Sequence, residues 1–318
     1  MDILKRTNLE QEITSLKQRE DFYVISHYYQ DSEVQDVSDF TGSNLSLLQA
    51  SMENGSTNIL VCASKYVADV IAILNPHKKI FVPDANSVSY HINDKELKKV
   101  QSYIKNNNNL VTIVHIDSPL ELIALADITI TSDNAEEIIQ KIGVNLEILY
   151  LPDKNFGSYL ANKFGCKIST ISLAYKSIHG SFCERELIKI KTSHPKAKIL
   201  AHPAVKPKLL NYADFIFSSK SMIDYVQDRN GSEFIILDEP GVITQMRKYS
   251  SNSKFYDVPN LTASGSFKSA DCTILRTNTI EKLHSAMKAK NTPISIKKTL
   301  AKKAFSSIAK MLKIDIPA

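Results

Sequence analysis

Three histidines stand at the ends of apolar runs, where an imidazole that titrates near neutrality can move protons. His27 closes Phe22-Tyr-Val-Ile-Ser-His27, His115 closes Leu110-Val-Thr-Ile-Val-His115, and His202 closes Lys198-Ile-Leu-Ala-His202. They lie 88 and then 87 positions apart. Behind each, an aspartate opens a shorter run ending in hydroxyl and amide residues: Asp39-Phe-Thr-Gly-Ser-Asn44, Asp127-Ile-Thr-Ile-Thr-Ser-Asp-Asn134 and Asp214-Phe-Ile-Phe-Ser-Ser-Lys-Ser221, again 88 and 87 apart. A helical stretch follows each cluster, and Ser, Thr, Asn and Asp are the residues that cap helix N-termini. Those termini present unpaired N–H groups that favour phosphate or carboxylate. The pattern predicts a site for a small metabolite carrying several negative charges.

The elements that must position these residues can be read from the same repeat. A further apolar run follows each helical stretch: Asn58-Ile-Leu-Val-Cys62, Leu146-Glu-Ile-Leu-Tyr-Leu151 and Glu233-Phe-Ile-Ile-Leu237. Continuously apolar strands alternating with helices indicate parallel sheet buried on both faces. Several elements recurring at one period indicate a triplicated unit. The fold class expected is α/β, with three βαβ units related by a pseudo-threefold axis around a central cavity. Residues 1–20 are expected to form an N-terminal helix, 21–105, 106–192 and 193–270 the three repeats, and 271–318 a helical segment packing on the first. Parallel sheets place ligands outside the carboxyl ends of their strands, where the three histidines stand.

At 318 residues and 43% apolar composition the chain can bury a substantial core. The net charge of +5 is a mild excess with scattered lysines, so no nucleic-acid partner is expected. No apolar run of about 18 residues occurs, and no membrane partner is expected. Residues 296–313, apolar at helical spacing with a basic opposite face, read as a terminal helix packed on the body of the protein. Cys62, Cys166, Cys183 and Cys272 are far apart and show no disulfide framework, which suits a reducing cytoplasm.

Several strings resemble quinolinate synthases, from about residue 20 to about residue 310. They are His27-Tyr28-Tyr29-Gln30, Thr131-Ser-Asp-Asn-Ala135, Leu151-Pro-Asp-Lys-Asn-Phe-Gly157, Ala201-His-Pro203 and Asp238-Glu-Pro-Gly241, the last similar to the family's Thr-Glu-x-Gly. The resemblance implies a central site that binds iminoaspartate and dihydroxyacetone phosphate and converts them to quinolinate, the pyridine precursor of NAD. It also implies a four-iron, four-sulfur cluster held by one cysteine from each unit, with one iron open as a Lewis acid. Of those three cysteine positions only Cys272 is kept. Ser89 and Lys176 align with the other two, and neither a hydroxyl nor an ammonium replaces a thiolate ligand.

The expectation drawn from this departure is an enzyme with no metal and no cofactor, condensing an amino- or imino-dicarboxylate with a triose phosphate-like carbonyl compound by acid–base means. His115 and His202 would transfer protons, with His27 and Tyr29 beside them as further catalytic groups and Asp117 orienting a histidine. Lys176 could form a Schiff base with the carbonyl substrate. Asn44, Asp117, Ser132, Asn134, Ser218 and Ser219 would hold phosphate and carboxylates. An authentic quinolinate synthase with an atypical cluster and a degenerate metabolite-binding paralogue are the alternatives.

Overall fold

A computed structural model describes residues 3–88, 90–107, 109–143, 146–175, 177–261, 267–268, 277–289 and 292–313. Three four-stranded parallel sheets carry the fold. The first contains β1 (Phe22–His27), β2 (Phe40–Gly42), β3 (Asn58–Cys62) and β4 (Lys79–Phe81), in the order β2-β1-β3-β4. The second has β5 (Leu110–His115), β6 (Ile128–Ile130), β7 (Glu147–Leu151) and β8 (Ile168–Thr170), in the order β6-β5-β7-β8. The third has β9 (Lys198–Ala201), β10 (Phe215–Ile216), β11 (Glu233–Leu237) and β12 (Lys254–Asp257), in the order β10-β9-β11-β12. One order is used three times, and this bears out the triplicated α/β unit. In every sheet the strand leading to histidine is internal, buried on both faces as its uninterrupted apolar run requires.

The aspartate of the repeat turns out to tie strands together. Asp39 accepts a hydrogen bond from the Val24 backbone N at 2.8 Å, and Asp214 accepts one from Ile199 N at 2.9 Å. Each returns its own N–H to the carbonyl of that same residue. The acid thus docks the second strand of a unit on the first, fixing where the following hydroxyl cluster begins. Gly157, in the Leu-Pro-Asp-Lys-Asn-Phe-Gly string, meets a different need. A Cβ there would lie 3.0 Å from both Tyr150 and Thr170, so the helix Lys154–Phe164 could not lie as close to β7 and β8.

Two compact units divide the chain: Met1–His91 with Ile116–Thr131 and Thr273–Ala318, and Ile92–His115 with Ser132–Cys272. In the first unit the helices Ile3–Arg19 and Ile280–Ala289 pack on the first sheet, burying Ile13, Leu16, Leu283 and Met287 against Phe22, Val24, Leu60 and Cys62. The helix Lys298–Leu312 buries Ser307, whose hydroxyl donates to Ile123 O at 3.0 Å and accepts from the Thr129 hydroxyl at 2.9 Å. Ser307→Ala would leave Thr129, itself 0% exposed, without that acceptor. The expected cost is about 1–3 kcal/mol in urea unfolding, and a change near zero would contradict it. In the second unit Leu187, Ile199, Leu209, Ile235 and Val258 form the core of the third sheet. No helix among the described residues is long and apolar enough to cross a membrane.

Candidate active site

In the second unit the carboxyl ends of β9 and β11 bring together two histidines, an aspartate and a serine. His202 follows β9, and its Nδ1 accepts the backbone N–H of Ala204 at 3.2 Å. A nitrogen that accepts cannot also carry the proton, so the neutral ring is held as its Nε2–H form. His202 is therefore set up as a hydrogen-bond donor. The His179 ring lies flat against it, centroids 4.0 Å apart and 15° from parallel. His179 Nε2 donates to Asp238 Oδ1 at 2.9 Å, and the Ser219 hydroxyl donates to Asp238 Oδ2 at 2.6 Å. The backbone N of Glu239 adds a third donor at 2.8 Å. Burial alone would push the Asp238 carboxyl up, but the His179 hydrogen bond, the charges of His179 and His202, and the Ser219 hydroxyl carry it down to about 2.

His115, at the end of β5, joins this group through Phe156. The Phe156 ring lies 6.3 Å from His115 and 6.1 Å from His202. Ser132 Oγ is 3.4 Å from His115 Nε2. Asn134 precedes the helix Ala135–Ile142 and is buried, with no side-chain capping bond. Ser218 caps the helix Ser219–Gln227, accepting from Ser221 N at 3.3 Å. Of the two adjacent serines expected to hold an anion, Ser219 thus directs its proton to Asp238, while Ser218 stands at the helix entrance.

Burial first, and the charge of His179 second, push the His115 imidazole from 6.5 down to about 4. Between those values the unfolded chain binds a proton at this ring that the folded chain does not. Its contribution to stability is therefore complete above pH 6.5 and is lost as the pH falls toward 4, on the order of 3 kcal/mol in all. Asp238 titrates below that window. Unfolding free energies of His115→Gln are expected to flatten between pH 6.5 and 4, and an unchanged slope would count against this placement.

In the first unit His27 repeats the His202 arrangement. Its Nδ1 accepts the backbone N–H of Tyr29 at 3.2 Å, and the Tyr29 ring stands edge-on at 4.3 Å. His27, too, is held with its proton on Nε2. Asn44 opens the helix Asn44–Glu53, but its cap is Ser43, which accepts from Ser46 N at 3.3 Å. Asp117 accepts a hydrogen bond from the Ser64 hydroxyl. Burial raises its carboxyl, only partly offset by that bond.

Asp117, expected to orient a histidine, accepts from Ser64, and a second acid, Asp238, is found on His179. A signal was present: Asp238 directly follows the apolar run of β11, the same strand-end position that singled out the histidines. His179 carried no such mark, since it sits on the short 3-10 turn Ile178–Ser181. The expected roles of Ser89, Lys176 and Cys272 fall outside the described residues.

The described thiols are not a ligand set. Cys62 is fully buried in the core of the first unit, its thiol pushed up by burial. Cys166, also pushed up by burial, donates to the Leu160 carbonyl. Cys183 precedes the helix Glu184–Ser193, half-buried. Among the described residues no group of three or more His, Cys, Asp or Glu is arranged to hold a metal ion.

A family model described as quinolinate synthetase A protein matches residues 11–313. The quinolinate synthase of Ehrlichia chaffeensis is 36% identical over 307 residues, 96% of this chain and 98% of the relative. That of Synechocystis sp. is 31% identical, covering 94% and 93%, and that of Chloroherpeton thalassium is 31% identical, covering 98% and 96%. Matches of this extent overturn the expectation of a protein without cofactor. Quinolinate synthases are four-iron, four-sulfur enzymes, and the full-length likeness points to an iron–sulfur cofactor here. The expected loss rests on two aligned positions, Ser89 and Lys176, which weigh less than a likeness along nearly the whole chain. The described thiols do not form a ligand set by themselves, and Cys272 lies outside the described residues.

Proposed function

Because the chain belongs to the quinolinate synthase family, we propose that it joins iminoaspartate to dihydroxyacetone phosphate and forms quinolinate for NAD biosynthesis. The atoms balance when one phosphate and two waters leave. The observation that carries the reading is the match along nearly the whole chain. The polar groups at the strand ends support it by their chemistry. His202 and His27, each held as an Nε2–H donor, suit carboxylate or carbonyl oxygens. A neutral His115 beside Ser132 suits proton acceptance. Ser218, at the start of a helix, suits an anion. When bound, the iron–sulfur cluster supplies an open iron as a Lewis acid, and Cys272 occupies one of the family's ligand positions.

A bacterium that requires nicotinate because it lacks its own quinolinate synthase tests the proposal in the cell. Expression of this chain is expected to restore growth without nicotinate. A continued requirement, with soluble iron-loaded protein present, would reject the reading.

A further inference from the structure

We infer that this chain holds its iron–sulfur cluster with no more than two of its own thiolates, and that the imidazole of His179 serves as a further iron ligand through Nδ1. The inference rests on the iron–sulfur part of the proposed function. The chain has four cysteines. Cys62 is 0% exposed at the end of β3, enclosed by Leu16, Phe22, Val24, Leu283 and Met287 under the helices Ile3–Arg19 and Ile280–Ala289. Cys166 is buried just before β8, at the amino end of a parallel sheet, whereas ligands lie beyond carboxyl ends. Its thiol donates to the Leu160 carbonyl. Neither sulfur can reach a cluster while its surroundings stay packed. Cys183 and Cys272 are left, one thiolate short of the three that a four-iron cluster with one open iron takes.

Imidazole is the side chain that replaces thiolate on iron in Rieske-type centres. Among the histidines of the candidate site, His27 and His202 each accept a backbone N–H at Nδ1, so their neutral rings carry the proton on Nε2. His115 has its Nε2 3.4 Å from the Ser132 hydroxyl. His179 differs from all three, because its Nε2 donates at 2.9 Å to the buried carboxylate of Asp238, which the Ser219 hydroxyl and the Glu239 backbone N hold in place. A histidine bound to a metal donates its other ring N–H to a carboxylate in this way, which fixes the ring and makes the opposite nitrogen a stronger ligand. A proton that the iron-free ring carries on Nδ1 is released when iron binds. The turn Ile178–Ser181 sets His179 three positions after Lys176, which aligns with a family ligand position, and four before Cys183.

Pulsed EPR of the reduced cluster tests the inference on the full chain, reconstituted anaerobically with iron and sulfide and isotopically labelled at histidine nitrogen or at the cysteine β carbon. A directly coordinated histidine nitrogen and no more than two coupled cysteines are expected. His179→Ala should abolish the nitrogen coupling, and His179→Cys should hold iron without it. Asp238→Asn, which removes the carboxylate behind the ring, should weaken iron retention about 10- to 100-fold. A variant carrying both Cys62→Ala and Cys166→Ala should keep the spectrum of the unaltered protein. Three coupled cysteines in the unaltered protein, which needs no variant to fold, or a cluster without histidine nitrogen, would overturn the inference while leaving quinolinate formation standing. Protein that takes up no iron would remove both.

Discussion

His202→Ala is expected to lower kcat for quinolinate formation by roughly 10²- to 10⁴-fold, the range a positioned proton donor or acceptor contributes. The reason lies in how the ring is held. The Ala204 N–H occupies Nδ1, which leaves Nε2 as the proton-bearing edge, and His179 covers one face. His202→Gln separates the two roles such a ring could play. A glutamine amide can present an N–H near the former Nε2 but does not titrate. Recovery of most of the lost rate in His202→Gln would mark His202 as a fixed donor. A variant as impaired as His202→Ala would mark proton transfer as its contribution. A kcat unchanged in His202→Ala would remove this residue from the site altogether.

Cys272→Ser is expected to strip iron from the protein and to abolish turnover with it. Fe–S clusters require thiolates, and Cys272 is the residue that aligns with a family ligand position. Iron and sulfide analysis after anaerobic purification provides a readout independent of activity. Unaltered protein should contain bound iron and sulfide, and Cys272→Ser little of either. Cys62→Ala is the comparison, because that thiol is enclosed by the apolar core of the first unit and its loss should affect stability without affecting iron. Equal iron in the unaltered protein and Cys272→Ser would exclude Cys272 as a ligand.

The strands and their triplication were legible in the sequence because each internal strand is a continuous apolar run, and such runs recur only where sheet faces are covered on both sides. The strand-end histidines were legible for the same reason: topology places them where a parallel sheet opens to a ligand. Other features depended on the folded chain. The repeated aspartate was legible as a spacing, yet only the coordinates show Asp39 and Asp214 accepting backbone N–H groups from the neighbouring strand. The pairing of His179 with Asp238 joins residues 59 positions apart, a separation no local pattern encodes. Ser219 was expected to face a ligand, but a buried carboxylate 2.6 Å away takes its proton. The expectation of a cofactor-free site failed because it treated two aligned positions as decisive. A cluster's ligand set is a property of the folded site, whereas likeness to quinolinate synthases runs almost end to end.

Whether this chain makes quinolinate is decided with the purified protein. Anaerobically prepared, iron-loaded enzyme is supplied with iminoaspartate and carbon-labelled dihydroxyacetone phosphate, and the products are read by mass spectrometry. The expected product is quinolinate carrying the label of the triose, with phosphate released in equal amount. Unconsumed triose phosphate, or phosphate released without labelled quinolinate, would contradict it.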